Sequence, residues 1–388
     1  MDFTSRRLEN LSPLFFASLN ERIAAKQASG LDVIRLDVGS PDMPPDPAIV
    51  AALFQSAQEP DHHGYSTHKG PPRLWEAWAQ LYRREFGVEL DTQNEIVPLL
   101  GSKEGIFHLL LALIDPGDVV LIPDPGYPTY THGTTIAGGL PYFMPLLPER
   151  DFLPNLIDIP AEIARKAKIM WLNYPNNPTA ATTSLEFFTQ VMDFANHYDV
   201  LVCHDAAYSL VTYDGHQAAS ILQAPGAKKR AVEFNSLSKS HNMAGWRVGV
   251  AVGNAEALRH LLTIKTHADS GHFLPVLEAA VLAMTADQGW LHERNLVYQQ
   301  RRDIIVSGLR QVGLIASKPK ASLYVWCPLP RDWTSVAFAE AVLENANVSL
   351  TPGVVFGKMG EGFVRISLTN SAESTQEAMQ RLKEWMNA

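Results

Sequence analysis

The feature that most constrains this chain is an alternation. From about residue 100 to residue 285, short apolar β-rich runs are separated by segments with helical spacing. Ser102 sits where a helix would begin, residues 106–113 form its apolar body, and Asp115-Pro116-Gly117 closes it. Residues 119–122 then read as a buried strand, ended by Pro123-Asp124-Pro125-Gly126. Residues 169–172, 200–203, 231–234 and 247–252 read as further strands, and Ser184 is placed to cap a helix over 185–197. Strands joined through helices pair in parallel, which predicts an α/β fold with a largely parallel sheet.

The flanking segments differ. Residues 1–30 have amphipathic helical spacing, and residues 40–47 carry four prolines, which makes them a rigid loop. Residues 70–86 return to helical spacing through Leu74, Trp78, Leu81, Tyr82 and Phe86, with Gly87 as the stop. Beyond 290, a long charged helix (293–309), mixed strands near 323–326 and 363–366 and a terminal helix predict a smaller α+β domain. The division expected is a large domain over 48–285 and a small one built from 1–47 and 286–388.

Composition narrows the function classes. Hydrophobic residues are 46% of the 388, enough for a substantial core. The net charge of −9, with no long run of Lys or Arg, argues against nucleic acid and anionic membranes as partners. The apolar stretch 107–114 is far short of a membrane span, and the charged N-terminal segment does not resemble a signal peptide. Cys203 and Cys327 cannot build a disulfide framework and suit a reducing compartment. A soluble cytoplasmic protein is expected.

Ligands of open parallel sheets sit beyond the carboxyl ends of the strands. The residues there are Tyr127, Asn177, Asp205 with Tyr208, and Ser236 with Lys239; Arg247 begins the next strand, and Ser102 opens a helix in the same domain. Singly, each has an ordinary reading: a solvated lysine, a turn-capping aspartate, a loop tyrosine, an ion-paired arginine. Jointly, they match the needs of pyridoxal phosphate. A lysine amine can form a Schiff base, and a carboxylate can keep the pyridine nitrogen protonated. A helix N-terminus with hydroxyls and an arginine can hold the phosphate. A ring can stack on the pyridine face, while a phenol and an amide bond its oxygen.

The wording of these segments resembles the class I and II aminotransferases. The run from Ser236 through Ser238-Lys239-Ser240 to Trp246-Arg247-Val248-Gly249 is similar to that family's Schiff-base lysine signature. Asn176-Asn177-Pro178-Thr179 resembles its Asn-Pro-Thr-Gly turn, and Asp205-Ala206-Ala207-Tyr208 its Asp-x-x-Tyr. Gly101-Ser102-Lys103-Glu104-Gly105 and Asp124-Pro125-Gly126-Tyr127-Pro128 resemble its phosphate and ring-stacking loops, and Phe363-Val364-Arg365-Ile366-Ser367 its carboxylate-gripping segment. The motifs keep family order from Gly39 to Arg365. One departs: Ala180 stands where the family has glycine, in a turn that favours a left-handed residue.

The resemblance implies a fold-type I enzyme that binds pyridoxal 5'-phosphate: a homodimer with a mostly parallel seven-stranded sheet in the large domain and a smaller α+β domain. By the same implication, Lys239 is the Schiff-base lysine, Asp205 pairs with the pyridine nitrogen, Asn177 and Tyr208 bond the ring oxygen, and Tyr127 stacks. Ser102, the backbone of Lys103, Ser236 and Arg247 hold the phosphate, and Tyr65 reaches the phosphate of a neighbouring subunit. Arg365 and the backbone of Gly39, with Asn177 beside them, bind the substrate carboxylate. Lys239 moves the α-proton, its pKa lowered by the adjacent Arg247 and by the Schiff-base chemistry.

The wording is most similar to the LL-diaminopimelate aminotransferase group and its alanine- and aspartate-using relatives, with 2-oxoglutarate as acceptor. Amino transfer between an L-amino acid and a 2-oxo acid is expected, and a C–S β-lyase on the same fold is the alternative. Phe15 and Phe16 are placed near the cavity mouth by position alone. No metal site is expected: His62, His63 and His68 lack a supporting ligand pattern. Cys203-His204-Asp205 is not a nucleophile triad, because strand neighbours face opposite ways.

Overall fold

The computed structural model describes residues 3–5, 7 and 15–388, without the side chains of 15–17. After a helix over Phe15–Ala28 comes a short strand, β1 (Ile34–Arg35). Helices Pro47–Ser56 and Pro72–Phe86 follow, and then a run of strands: β2 (Ile96–Leu99), β3 (Val119–Asp124), β4 (Leu140–Pro145), β5 (Ala167–Asn173), β6 (Leu201–Asp205), β7 (Ala231–Ser236) and β8 (Gly249–Gly253). These last seven form one sheet in the order β2-β8-β7-β6-β5-β3-β4. Every pair from β7 to β4 is parallel, while β8 is antiparallel to both of its neighbours.

The sheet is buried on both faces because its strands are apolar on both. In β3, Val119 and Leu121 pack into one layer and Val120 and Ile122 into the other; in β5, Met170 and Leu172 oppose Ile169 and Trp171. Helices Ser102–Leu113 and Ala255–Ala268 cover one face through Ile106, Leu109, Leu258 and Leu261. Helices Pro72–Phe86, Leu185–Tyr198 and Leu274–Thr285 cover the other. Helix boundaries follow local chemistry: Ser184 Oγ accepts from Phe187 N at 3.3 Å, and Gly87 ends its helix at φ 64°. The proline-rich loop gives up its last residue, since Pro47 begins a helix capped by Asp46.

A second core gathers the C-terminal part. Helices Gly289–Gln311, Ser335–Ala346 and Ala372–Met386 pack on the antiparallel sheet β11-β12-β9, formed by β9 (Tyr324–Pro328), β11 (Thr351–Pro352) and β12 (Phe363–Ser367). The intervening β10 (Val348–Ser349) pairs in parallel with β1, so the N-terminal strand is anchored to this part of the chain. Among the described residues no helix is long and apolar enough to cross a membrane.

Candidate active site

The parallel register sets the carboxyl ends level: Asn173 of β5 lies opposite Asp205 of β6, which lies opposite Phe234 of β7. Above this edge is a cavity of about 570 Å³. Ser102, Lys103, Tyr127, Asn177, Asp205 and Tyr208 line it, as do Gly39, Ser236, Lys239, Arg247 and Arg365. Tyr65 alone of the sequence-selected residues stands elsewhere, 94% exposed on the surface. The side chains of Phe15 and Phe16 lie outside the described residues.

Lys239 sits in a short helix, Leu237–Ser240, that follows β7 and is capped by Ser236. Its Nζ donates to Gly39 O at 2.5 Å. Its pKa is drawn down to about 8 by burial first, then by the charges of Arg365 and Arg247, against the pull of Asp205. The expected cause, Arg247, is therefore the smallest of the three. Arg247 also does not begin a strand. It adopts φ 59° two residues before β8, after the Ala244–Trp246 turn, where the chain reverses to run antiparallel to β7. That reversal keeps its guanidinium at the cavity, donating to Ala244 O at 2.8 Å.

Asp205 ends β6 with its carboxylate buried, and burial raises its pKa. Tyr130 Oη donates to Asp205 Oδ2 at 2.8 Å and the Ala207 N–H reaches Oδ1 at 3.3 Å, both favouring the charged form. Tyr130 escaped the sequence reading because it lies inside a helix; only its stacking on Trp171, centroids 4.9 Å apart, brings it under the strand edge. Tyr208 Oη is 2.8 Å from Tyr324 Oη, a cavity residue from β9 that also went unrecognised. The ring of Tyr324 lies under the Arg365 guanidinium at 4.1 Å, and a Cβ at position 39 would collide with its hydroxyl, so the close approach there requires Gly39.

Asn177 is held by its turn. Asn173 donates to Asp205 O at 2.7 Å and accepts from Asn177 N at 2.8 Å, while Asn176 Oδ1 accepts from Thr179 N and Oγ1. Ala180 takes φ 57°, the left-handed conformation its family glycine would adopt freely. Asn177 Oδ1 accepts from Arg365 Nη1 at 2.9 Å, Arg365 Nη2 donates to Asp37 O at 2.8 Å, and Arg365 Nε is buried without a partner. That orphaned donor suits an incoming carboxylate.

Ser102 opens the helix Ser102–Leu113, and its backbone nitrogen lies so near Gly249 that a Cβ there would come within 2.7 Å of it. A helix N-terminus whose first residue shares the cavity with Ser236 and Arg247 is a cradle for a dianion. The lining carries Arg35, Lys103, Lys239, Arg247 and Arg365 against Asp37 and Asp205, a cationic excess in an acidic protein. These residues therefore fit an anionic ligand with a basic ring nitrogen facing Asp205.

The remaining motifs fall elsewhere. Cys203, His204 and Asp205 diverge: His204 Nδ1 lies 2.9 Å from Glu233 Oε2 on the far side of the strand. His62 and His63 are spent on Ser56 and Ala57. Glu104, His108 and Asp269 approach one another, but the Lys265 ammonium lies among them, 2.7 Å from Asp269 and 3.4 Å from Glu104.

Residues 31–382 match the family model for class I and II aminotransferases. The chain is 50% identical to the LL-diaminopimelate aminotransferase of Moorella thermoacetica and 48% identical to that of Desulforudis audaxviator, in each case over 98% of this chain and 97% of the relative. Among solved structures it resembles substrate-bound BacF of Bacillus subtilis, with a TM-score of 0.95 and 35% identity over 99% of this chain and 98% of that one. It also resembles a probable N-succinyldiaminopimelate aminotransferase of Thermus thermophilus, with a TM-score of 0.91 and 36% identity over 95% and 99% of the two chains.

Proposed function

The chain belongs to the class I and II aminotransferases, and from that premise we propose that its cavity holds pyridoxal 5'-phosphate and serves transfer of an amino group from LL-diaminopimelate to 2-oxoglutarate. The donor is proposed from relatives of that name that are up to 50% identical over nearly the whole chain. One observation carries the catalytic reading. An amine drawn down to about 8 shares a cavity with a buried carboxylate at the end of the adjacent parallel strand.

When bound, the cofactor supplies a sink for the electrons left on the substrate as its Cα loses a proton. Asp205, steadied by Tyr130, would hold a proton on the ring nitrogen. Tyr208 and Asn177 would bond the ring oxygen, and Tyr127 would pack against the ring. Ser102, the Lys103 backbone, Ser236 and Arg247 would hold the phosphate. Lys239 Nζ, able to shed its proton near pH 8, would take the proton from the substrate Cα and deliver it to the cofactor's carbon instead of back to Cα, which is what leaves the amino group behind when the oxo acid departs. Arg365, with Asn177 and the Gly39 backbone, fixes the α-carboxylate by a planar fork. The same reading divides the chain into a large domain over 48–285 and a small one from 1–47 and 286–388. It makes the protein a cytoplasmic homodimer, with exposed Tyr65 reaching the phosphate in a second copy.

The test is a donor panel on the holoenzyme. LL-diaminopimelate with 2-oxoglutarate is expected to yield glutamate, and Lys239→Ala to abolish turnover. Faster transfer from alanine or aspartate overturns the donor. Release of pyruvate and ammonia with no oxo acid present, as the main activity, overturns transfer itself.

A further inference from the structure

One cation in the cavity has no place in the scheme above. Arg35, on β1, lines the cavity and is fixed by a two-pronged bond to Asp37: Nε to Oδ1 at 3.0 Å and Nη2 to Oδ2 at 2.6 Å. Asp37 is buried, at 1% side-chain exposure, whereas Arg35 keeps 31%. The pair thus presents the guanidinium outward and hides the carboxylate. The backbone beneath it is rigid: Ser367 N donates to Leu36 O, Thr369 Oγ1 to Val38 O and Asn370 Nδ2 to Arg35 O, all within 2.7 Å. Two arginines meet at one residue, since Arg365 bonds the carbonyl of Asp37 and Arg35 bonds its carboxylate. The cavity therefore holds two guanidiniums linked through a single residue, each oriented by its neighbours.

We propose that Arg35, aimed by Asp37, is a specificity-determining residue that binds the far carboxylate of a dicarboxylic substrate whose α-carboxylate is held by Arg365. This rests on the aminotransferase reading and deepens it: both the proposed donor and its acceptor end in a second carboxylate. The uncommitted edge of the Arg35 guanidinium offers such a group a charge-assisted bond.

The experiment is calorimetric titration of the holoenzyme with heptanedioate and with heptanoate, which differ only in the terminal carboxylate. Wild type is expected to bind the diacid more tightly by roughly tenfold to a hundredfold, the worth of one bond to a charged group. In Arg35→Met/Asp37→Asn, which removes both charges together, that preference is expected to disappear. Arg35→Lys, which keeps the charge but loses the fork, is expected to retain only part of it and decides the matter if the double variant does not fold. Equal binding of the two ligands by wild type, or an undiminished preference in either variant, overturns the assignment. Preference for the diacid through Arg35 without turnover of LL-diaminopimelate removes the donor proposed above and leaves this assignment standing; turnover without that preference does the reverse.

Discussion

Replacing Lys239 by methionine in the cofactor-free protein isolates the cost of burying its ammonium. The folded state draws the Lys239 pKa from 10.5 down to about 8. Between those values the unfolded chain holds more protons than the native one, so stability rises with pH across the window. Above 10.5 both states carry the neutral amine and the penalty is gone; below about 8 the penalty is complete. Its size follows from the drop, about 3 kcal/mol at roughly 1.4 kcal/mol per tenfold change in proton affinity. Methionine keeps the reach of the side chain without its charge. The variant should therefore be most favoured over wild type near neutral pH, and that advantage should shrink by about 3 kcal/mol as pH passes through the window. Packing changes and the lost bond to Gly39 O add an offset that is the same at every pH and drops out. The assay is urea unfolding of both proteins at several values between about pH 7 and 10.5, compared by linear extrapolation. A stability difference that stays flat within about 1 kcal/mol would refute the claim that the cavity holds this amine at a lowered pKa.

Two further outcomes follow from the site. Tyr130→Phe removes a bond to a buried carboxylate and is expected to cost about 2 kcal/mol near neutral pH. Because burial raises the folded pKa of Asp205 and the loss raises it further, the cost should diminish as pH falls and the carboxyl protonates; a cost in denaturant unfolding that stays constant or grows from pH 7.5 down to the acid limit of the folded state would contradict this. Ala180→Gly relieves about 1–2 kcal/mol of left-handed strain but loses about 0.8 kcal/mol of methyl burial and some chain entropy. It should leave stability within about 1 kcal/mol of wild type, whereas Ala180→Val, with a branched side chain at φ 57°, should lose at least about 2 kcal/mol, both read by the same unfolding assay.

Much of the site was legible because an open parallel sheet makes a one-dimensional signal carry three-dimensional meaning. Each strand is a short apolar run, its carboxyl end is the next residue or two, and all such ends share one edge. That is how Asn177, Asp205, Ser236 and Lys239 could be read together from their places in the chain. Arg247 was found by the same logic despite the wrong local structure, since the start of an antiparallel strand lies at the same edge as the end of its neighbours.

The residues that escaped reach the site by other routes. Tyr130 comes from within a helix, Tyr324 from a strand of the second core, Arg35 from a two-residue strand paired to β10 more than three hundred positions away, and Asp37 from just beyond that strand. None is marked by local periodicity, because their positions depend on how separate elements pack rather than on where any one of them ends. The sequence by itself determined the alternating architecture, the edge where ligands gather and the chemical types waiting there. Only the tertiary structure decided which charges share a cavity and how deeply each is buried. Proton affinities and carboxylate geometry follow from those distances and from exclusion of water, and neither is a property of any local stretch of chain.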